Sequence, residues 1–262
     1  MKNKLRVKVA PRKISTVEIN PFTDKYVEQE VKFYGLTDYN ENGILIQSLK
    51  IVGRCDDFLN VNFRVGNLVC PQFFIDNRIW MSLTPMEIQS QYLPIQKATG
   101  NIAIGGLGMG YYLLKVMEKD VVTSIDVYEI EKRAVDFFIK SFHERKGFDK
   151  VTFITGDARK EMKDKEYEFV YMDIYPDILP NDVISDKKLF LKNNEIKEYH
   201  FWCQEKVFKA GYEAGDIDLM ELPSEVLNLF KMWSQTDNAK LRDHDLDSDF
   251  ISECLMTFNF DF

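Results

Sequence analysis

The chain has 262 residues, enough to bury one substantial core, and its 45% hydrophobic and 29% charged residues are ordinary for a soluble globular protein. It lacks the run of about eighteen apolar residues that a membrane span requires, and its first residues lack the apolar region of a secretion signal. A net charge of −8 disfavours a nucleic-acid partner, because nucleic-acid binding demands a basic face.

The four cysteines lie far apart in the sequence, with no C-x-x-C pair among them. This spacing predicts reduced core thiols and argues against a disulfide framework or a zinc site. We therefore expect a cytoplasmic protein with no bound metal and no membrane partner. The acidic balance is compatible with a cationic small substrate, although a solvated acidic surface also produces one.

Residues 1–95 have the pattern of an antiparallel, β-rich segment. Alternating or apolar stretches typical of strands occur at Leu5–Val9, Val27–Tyr34, Ile44–Val52 and Leu59–Val65. Turn signals occur at Asn42–Gly43, Gly66–Asn67 and Asp76–Asn77. We therefore divide the chain into a β-rich N-terminal segment, residues 1–95, and an α/β ligand-binding domain, residues 96–262.

A short helix is predicted just before this boundary. Ser82 or Thr84 is placed to cap a helix that begins at Pro85, and Glu87 suits its first turn. Glu87 has two interpretations: it complements the helix dipole, or it approaches the charged end of a bound ligand.

The stretch Asn101–Glu129 predicts a nucleotide-binding crossover. A short apolar run that reads as a buried strand is followed by four glycines, at Gly105, Gly106, Gly108 and Gly110. A helical pattern and a second apolar run come next, and that run ends at Glu129, with Asp126 inside it as a competing acid. Glycines let the backbone approach a ligand closely, and an acid after the second strand can accept from both hydroxyls of a ribose.

The glycine spacing excludes two common nucleotide sites. The dinucleotide pattern Gly-x-Gly-x-x-Gly fails, because its third glycine would fall on Tyr111 or on Leu113. The phosphate-loop pattern fails as well, because no Gly-Lys-Ser/Thr follows the glycines.

The next elements continue the alternation of helix and strand. Glu131–Lys146 predicts an amphipathic helix whose apolar side chains are Ala134, Val135, Phe138, Ile139 and Phe142. Val151–Thr155 predicts a third strand, followed by Asp157 and Ala158, and the fourth strand, Phe169–Asp173, again ends in an acid. Because parallel strands end at one edge of a sheet, we expect Glu129, Asp157 and Asp173 to meet there.

The C-terminal third is harder to interpret. Its pattern predicts a substrate loop over residues 174–193, with Pro176 and Pro180, and then a helix over Glu195–Ala214. A further helix is predicted over Ser224–Trp233, with Ser224 as its N-cap. The candidates for the remaining strands are Ile217–Leu222 and the alternating segment Leu255–Phe262.

Several of these motifs together resemble a known superfamily. Gly106–Gly110 resembles the first motif of class I S-adenosylmethionine-dependent methyltransferases and of the related spermidine synthases. Val127–Glu131, Gly156–Arg159 and the strand that ends at Asp173 are similar to their successive motifs, and the hairpin Phe73–Trp80 is similar to the one before the spermidine synthase domain. The resemblance implies an α/β, Rossmann-like sheet with helices on both faces, preceded by a small β-rich segment.

By this resemblance the cofactor is S-adenosylmethionine. Its amino-acid end lies over Gly105, Gly106, Gly108 and Gly110 and approaches Glu87, and its ribose hydroxyls bind Glu129. Asp157 accepts from the adenine amino group, the Ala158 N–H lies near the ring, and Asp173 is the catalytic residue beside the reacting centre. The structural alternatives remain open: Glu129 caps a helix, Asp157 makes a turn, and Asp173 only ends a strand.

The sequence also departs from the family. Spermidine synthases have a Gln after the hairpin and a Tyr-His pair in the next helix, and the nearest residues here are Trp80, Ser90 and Gln91. Residues 174–177 do not match the loop that holds an extruded nucleobase. We therefore expect a methyltransferase that acts on a small-molecule or peptide-like substrate. The alternatives are an aminopropyltransferase on a polyamine and a non-catalytic binding protein of the same fold, and a homodimer stays open.

Overall fold

The computed structural model describes residues 20–56, 58, 62–176, 182–214 and 224–234. Within these ranges the strands form two sheets, one antiparallel and one parallel. The buried apolar side chains of both sheets and of the surrounding helices form one hydrophobic cluster. In these ranges no helix combines the length and the apolar character that crossing a membrane requires.

The antiparallel sheet confirms the predicted β-rich N-terminal segment. Its strands, paired in chain order, are β1 (Tyr39–Glu41), β2 (Ile44–Asp56), β3 (Asn62–Ile75) and β4 (Arg78–Ser82). The predicted turns Asn42–Gly43 and Asp76–Asn77 are also confirmed, and all four residues have the positive φ angles that tight hairpins favour. The predicted hairpin Phe73–Trp80 corresponds to β3 and β4.

The predicted turn at Gly66–Asn67 is wrong, because both residues lie inside β3. Val52 pairs with Asn67, whereas the next residue, Gly53, pairs with Val65. Gly66 is therefore the extra residue of a β-bulge, which is another common position for glycine in a strand.

The predicted strand Val27–Tyr34 is also wrong, because it lies in α1 (Asp24–Tyr34). Thr23 caps this helix, with its hydroxyl oxygen accepting from the Tyr26 N–H at 3.3 Å, and Gly35 ends it in the left-handed conformation. The predicted strand Leu5–Val9 lies outside the described residues.

Two short helices connect the sheets, α2 (Pro85–Ser90) and α3 (Tyr92–Lys97). The first begins at Pro85 as predicted, with Thr84 at the N-cap position. The helices then lead into the first parallel strand.

The parallel sheet confirms the predicted Rossmann-like fold. Its strands are β5 (Gly100–Gly105), β6 (Val122–Glu129), β7 (Val151–Thr155), β8 (Glu166–Met172) and β9 (Glu195–Phe201). Their spatial order is β7-β6-β5-β8-β9, so the chain reverses direction across the sheet at β5. The helices after β5, β6 and β8 are α4 (Tyr111–Met117), α5 (Lys132–Phe142) and α7 (Asp182–Asn193). Because crossovers between parallel strands are right-handed as a rule, this strand order places α4 and α5 on one face and α7 on the other.

Helix α5 is shorter than the predicted range Glu131–Lys146 at both ends, because Glu131 is its N-cap and His143 is its C-cap. One member of the predicted apolar stripe is also wrong. Ile139 is 37% exposed, whereas Phe137, which was not in the stripe, is 1% exposed. Phe137 packs against Tyr39 and Phe73 of the antiparallel sheet, so this helix buries a second face.

The C-terminal third differs most from its predicted elements. The predicted helix Glu195–Ala214 is in fact β9 followed by α8 (Gln204–Ala214), and α7 occupies most of the predicted loop over residues 174–193. The last described helix, α9 (Ser224–Ser234), confirms the predicted helix, although Ser224 is its first residue and not its N-cap. The candidate strands Ile217–Leu222 and Leu255–Phe262 lie outside the described residues.

Candidate functional site

The glycine turn joins the end of β5 to α4 at the point where the strand order reverses. Gly106 has a φ of +83°, and a Cβ there would overlap the carbonyl oxygen of Asp173, so the turn lies directly against the end of β8. Gly110 is the N-cap of α4 with a φ of +84°, and a Cβ there would overlap the Phe138 ring. Both glycines are therefore required by the fold itself, whatever the turn binds.

Two methionine side chains pack against the other glycines of the turn. A Cβ on Gly105 would overlap the sulfur of Met172, and a Cβ on Gly108 would overlap the sulfur of Met81. The Met81 sulfur also accepts from the Met109 N–H at 3.0 Å. The end of β4 therefore reaches the glycine turn.

The backbone N–H groups of this turn already have partners within the protein. The Gly106 N–H donates to the Tyr128 carbonyl at 2.8 Å, and the Gly110 N–H donates to the Leu107 carbonyl at 2.8 Å. The Leu107 N–H donates to Oε2 of Glu129 at 2.7 Å, and the Gly108 N–H also bonds this carboxylate. A phosphate-binding loop, by contrast, presents several such groups to its ligand.

Glu129 ends β6 and is 8% exposed. Its Oε1 accepts from the Glu131 N–H at 2.7 Å, so one carboxylate oxygen holds the glycine turn and the other holds the loop before α5. Burial raises the pKa of Glu129, although the backbone hydrogen bonds oppose this shift. These three N–H groups take three of the roughly four acceptor positions of the carboxylate, so about one position remains for a ligand. The competing acid, Asp126, accepts from the Tyr167 hydroxyl at 2.7 Å from within the strand.

Asp157 lies beside Glu129 at the end of the next strand. The Gly156 N–H donates to the Glu129 carbonyl at 2.9 Å, which joins the two strand ends. Asp157 is the N-cap of α6 (Ala158–Glu161), and its Oδ1 accepts from the Arg159 N–H at 3.0 Å. Ala158 is 3% exposed and opens the helix. Asp157 thus caps a helix, whereas the structural alternative from the sequence was a turn, and its Oδ2 is left available to a ligand or to Lys160, 3.8 Å away.

The third acid, Asp173, follows β8 and lies near Glu87 of α2. Its N–H donates to the Gly105 carbonyl at 2.7 Å, which fixes it beside the glycine turn. Desolvation and the negative charge of Glu129 raise the pKa of Asp173 to about 7. Burial and the negative charge of Asp173 raise the pKa of Glu87 to about 8. Glu87 is only 6% exposed, so it is not a solvated acid in a first helical turn.

Polar and sulfur-bearing side chains surround this pair of acids. The Gln91 Nε2 donates to Oε1 of Glu87. Tyr171 of β8 and Cys203, which follows β9 with a φ of +65°, are buried nearby. Burial raises the pKa of both side chains, and the charges of Glu87 and Asp173 raise them further. The ends of β8 and β9 therefore meet α2 beside the glycine turn.

A second polar connection holds α6 against α7. The Arg159 guanidinium donates two hydrogen bonds, each 2.7 Å long, to the buried carboxylate of Asp186. Burial and the negative charge of Asp186 raise the pKa of Tyr175, which follows Asp173 by two residues. The Arg159–Asp186 pair therefore attaches α7 to the helix that Asp157 caps.

Sequence reasoning missed three residues of this region. Gln91 lies four positions after Glu87, and this spacing predicts a contact when a helical path connects the two residues. Neither Met81 nor Cys203 has a spacing signal of this kind, because each reaches the site from a separate element.

Similarity to known proteins is found among solved structures. A scan against protein-family models and a search of curated proteins found no match. Among solved structures, the chain is similar to spermidine synthase from Thermotoga maritima, with 12% identity and a TM-score of 0.36 over 60% of this chain and 57% of that chain. It is also similar to Trm5b from Pyrococcus abyssi, with 10% identity and a TM-score of 0.37 over 57% and 45% of the two chains. YcgJ from Bacillus subtilis aligns at 22% identity with a TM-score of 0.31, over 38% and 43%.

The chain thus spans less than two thirds of the length of the first of these proteins, and the likeness concerns the fold alone. The reversal of strand order at β5 and the glycine turn that follows this strand are observed directly. By these features the chain has a Rossmann-like fold, with helices packed on a parallel sheet.

Proposed function

We propose that this protein is an S-adenosylmethionine-dependent methyltransferase that acts on a small-molecule or peptide-like acceptor. The observation that carries the proposal is the occupation of the glycine turn by Glu129. A carboxylate that fills the backbone donors of the turn repels phosphate, yet its remaining acceptor position can still accept from a ribose hydroxyl. Further acids, Asp157 and Asp173, lie at the adjacent strand ends, which favours a nucleoside ligand with positive charge and without phosphates.

The residues present fit this cofactor by the chemistry of their donors and acceptors. Glu129 would accept from a ribose hydroxyl, and Asp157 with the Ala158 N–H would hold the adenine. The turn from Gly105 to Gly110 would underlie the amino-acid end, whose charge the nearby acids favour. When bound, the cofactor supplies an activated methyl group on a positively charged sulfur.

The chemical task left to the protein is small, because the methyl group is already activated. The chain must bind and orient the acceptor and exclude water from it. The Asp173 carboxylate would orient a nucleophile or receive its proton. Because its pKa is raised to about 7, this group is partly ionised near neutral pH and suited to such an exchange.

Calorimetry of the purified protein with S-adenosylmethionine and S-adenosylhomocysteine tests the proposal. We expect both to bind, and Glu129→Ala to weaken binding by about 1–3 kcal/mol, because hydrogen bonds to a charged acceptor are lost. Asp126→Asn is the matched control, since Asp126 is engaged by Tyr167 inside the strand. Binding of NADH or ATP without binding of the adenosyl sulfur compounds would contradict the proposal.

Aminopropyl transfer is the second candidate, favoured by the proximity of two acids, Glu87 and Asp173, that suits a polyamine. Against it, the residues near the family's Tyr-His pair are Ser90 and Gln91. We expect decarboxylated S-adenosylmethionine and putrescine to give no spermidine. Detection of spermidine together with methylthioadenosine would reverse the ranking. Cofactor binding without methyl transfer to any amine or peptide in a broad panel would favour a non-catalytic binding protein.

A further inference from the structure

The side-chain amide of Gln91 has one partner and one open acceptor. Gln91 is 2% exposed, and its Nε2 donates to Glu87. Its Oε1 is also buried and has no hydrogen-bond partner. A buried carbonyl oxygen without a donor is unfavourable, so this atom points to a ligand that brings an N–H or O–H group. Because one amide carries both atoms, the open acceptor lies beside the Glu87 carboxyl.

The electrostatic surroundings specify the charge of such a ligand. In the described part of the chain, the neighbours that shift the pKa of Glu87 are Asp173, which raises it, and Gln91, which lowers it. The positive charge of Lys206 lowers the pKa of Cys203, and the Lys206 ammonium lies 5.8 Å from the centroid of the Phe58 ring. A cation that lies near both Glu87 and Asp173 would stabilise their charged forms, because the negative charge of Asp173 acts on Glu87.

We propose that Glu87, Gln91 and Asp173 form a subsite for an alkylammonium group, and that this group belongs to the methyl acceptor. The inference rests on the proposed function and deepens it by naming an amine as the acceptor class. An ammonium has three N–H donors. The Glu87 carboxylate, the Gln91 carbonyl oxygen and the Asp173 carboxylate provide one acceptor for each of them.

A pair of probes of equal length tests the charge requirement. Binding of n-butylamine and of n-butanol to the full chain is measured by calorimetry at pH 8.5, with S-adenosylhomocysteine present at saturation. We expect the amine to bind at least tenfold more tightly than the alcohol. Glu87→Gln should remove most of that preference, and Gln91→Met should reduce it, because each removes one acceptor. Glu195→Gln, at an exposed acid at the opposite end of β9, should change nothing.

The same variants distinguish the acceptor from the cofactor, which also carries an ammonium. If the subsite belongs to the acceptor, Glu87→Gln keeps the affinity for S-adenosylhomocysteine within about threefold while amine binding falls. Equal weakening of both ligands, or no preference for n-butylamine over n-butanol, overturns this inference and leaves the proposed function standing. Failure of S-adenosylhomocysteine to bind the wild-type chain would instead refute the proposed function.

Discussion

Asp173 is the residue at which catalysis can be separated from cofactor binding. Its backbone N–H, which bonds Gly105, is unaffected by a change of side chain. Asp173→Asn keeps the shape and removes the charge, so we expect S-adenosylhomocysteine binding close to wild type. Methyl transfer to an amine acceptor should fall by about 10²–10⁴-fold, the usual contribution of a positioned base. Single-turnover assays and calorimetry on the same preparation measure the two effects.

Two other results would change the role of Asp173. Loss of cofactor affinity would make it a binding residue, and normal turnover would leave it as the structural end of β8. Asp126→Asn is again the control, since it removes an acid that lies away from the strand ends.

Glu87 gives a second prediction at this scale, in the pH dependence of stability. The groups that act on it or are acted on by it come from several elements, namely Asp173, Gln91, Tyr111, Tyr171 and Cys203. Its pKa is raised from 4.5 to about 8, so between these values the folded chain keeps a proton that the unfolded chain releases. Its contribution to stability is therefore complete below about pH 4.5 and is lost as the pH rises through about 8.

Glu87→Gln cannot titrate, so its free energy of unfolding should fall less than that of wild type between pH 5 and pH 9. From pH 5 to pH 9, we expect the decrease in the free energy of unfolding to be about 1–3 kcal/mol smaller for Glu87→Gln than for wild type, as measured by urea unfolding. Parallel curves for the two proteins would contradict the raised pKa. Glu195→Gln, which removes an exposed acid, should run parallel to wild type.

At the level of single residues, sequence reasoning identified positions better than contacts. Glu129, Asp157 and Asp173 lie at strand ends as expected, because the end of an apolar run is visible in the sequence. The bond from Gln91 to Glu87 has only a four-residue spacing as its signal, and it forms because Gln91 caps the helix that contains Glu87. The packing of Met81 on Gly108 has no such signal, because it depends on how separate elements approach each other.

The ion pair between α6 and α7 is the clearest stabilising contact between two elements. Asp186 is buried, and its two hydrogen bonds come from Arg159, in the helix that Asp157 caps. Arg159→Ala leaves a buried carboxylate without its cation and should lower the free energy of unfolding by about 2–4 kcal/mol. Binding of S-adenosylhomocysteine should weaken as well, because α6 then loses its attachment. Urea unfolding and calorimetry measure the two losses.

Lys197→Ala is the matched control for this ion pair, because Lys197 pairs with Glu168 at 3.5 Å on the exposed surface. Such a pair contributes about 0–1 kcal/mol. If the two substitutions cost the same, the Arg159–Asp186 pair does not hold α6 against α7.

The errors in element assignment have physical causes. Val27, Val31 and Tyr34 recur at helical spacing, and Thr23 and Gly35 delimit the helix, but the apolar content of the stretch favoured a strand. Among the described strands, Glu195–Phe201 lies at the edge of the sheet and is buried only towards its end, so its first half carries the polar residues of a helix surface. The short turn between β9 and α8 contains neither Gly nor Pro to separate the two elements.

At the scale of the whole molecule, the two sheets are joined by specific contacts across the predicted boundary at residue 95. The buried Glu30 of α1 bonds the Tyr111 hydroxyl at 2.8 Å and the Lys115 ammonium at 2.7 Å, both in α4. The Tyr34 hydroxyl donates to the Met109 carbonyl at 3.0 Å, which holds the glycine turn from the N-terminal side. The division into two domains, residues 1–95 and 96–262, therefore stays a prediction. It is tested by asking whether one of the two parts folds alone.

We expect residues 96–262 alone to lack a cooperative thermal transition and to bind no S-adenosylhomocysteine. Removal of residues 1–95 would expose Phe137 and leave the glycine turn without the contacts of Tyr34 and Met81. Calorimetric melting of this fragment beside the full chain measures the effect. A cooperative transition near that of the full chain would establish residues 96–262 as an independent domain.

The position of β5 in the centre of the parallel sheet has a kinetic consequence. Ile102 pairs with Ile125 on one side, a local contact, and with Phe169 on the other, 67 residues further along the chain. Closing the longer loop costs more entropy and contributes to a high contact order, so we expect β6 and β7 to join β5 first. Until β8 arrives, the apolar edge of β5 is open to pairing with another chain. Refolding yield should therefore depend strongly on protein concentration, even though the finished sheet encloses this strand on both sides.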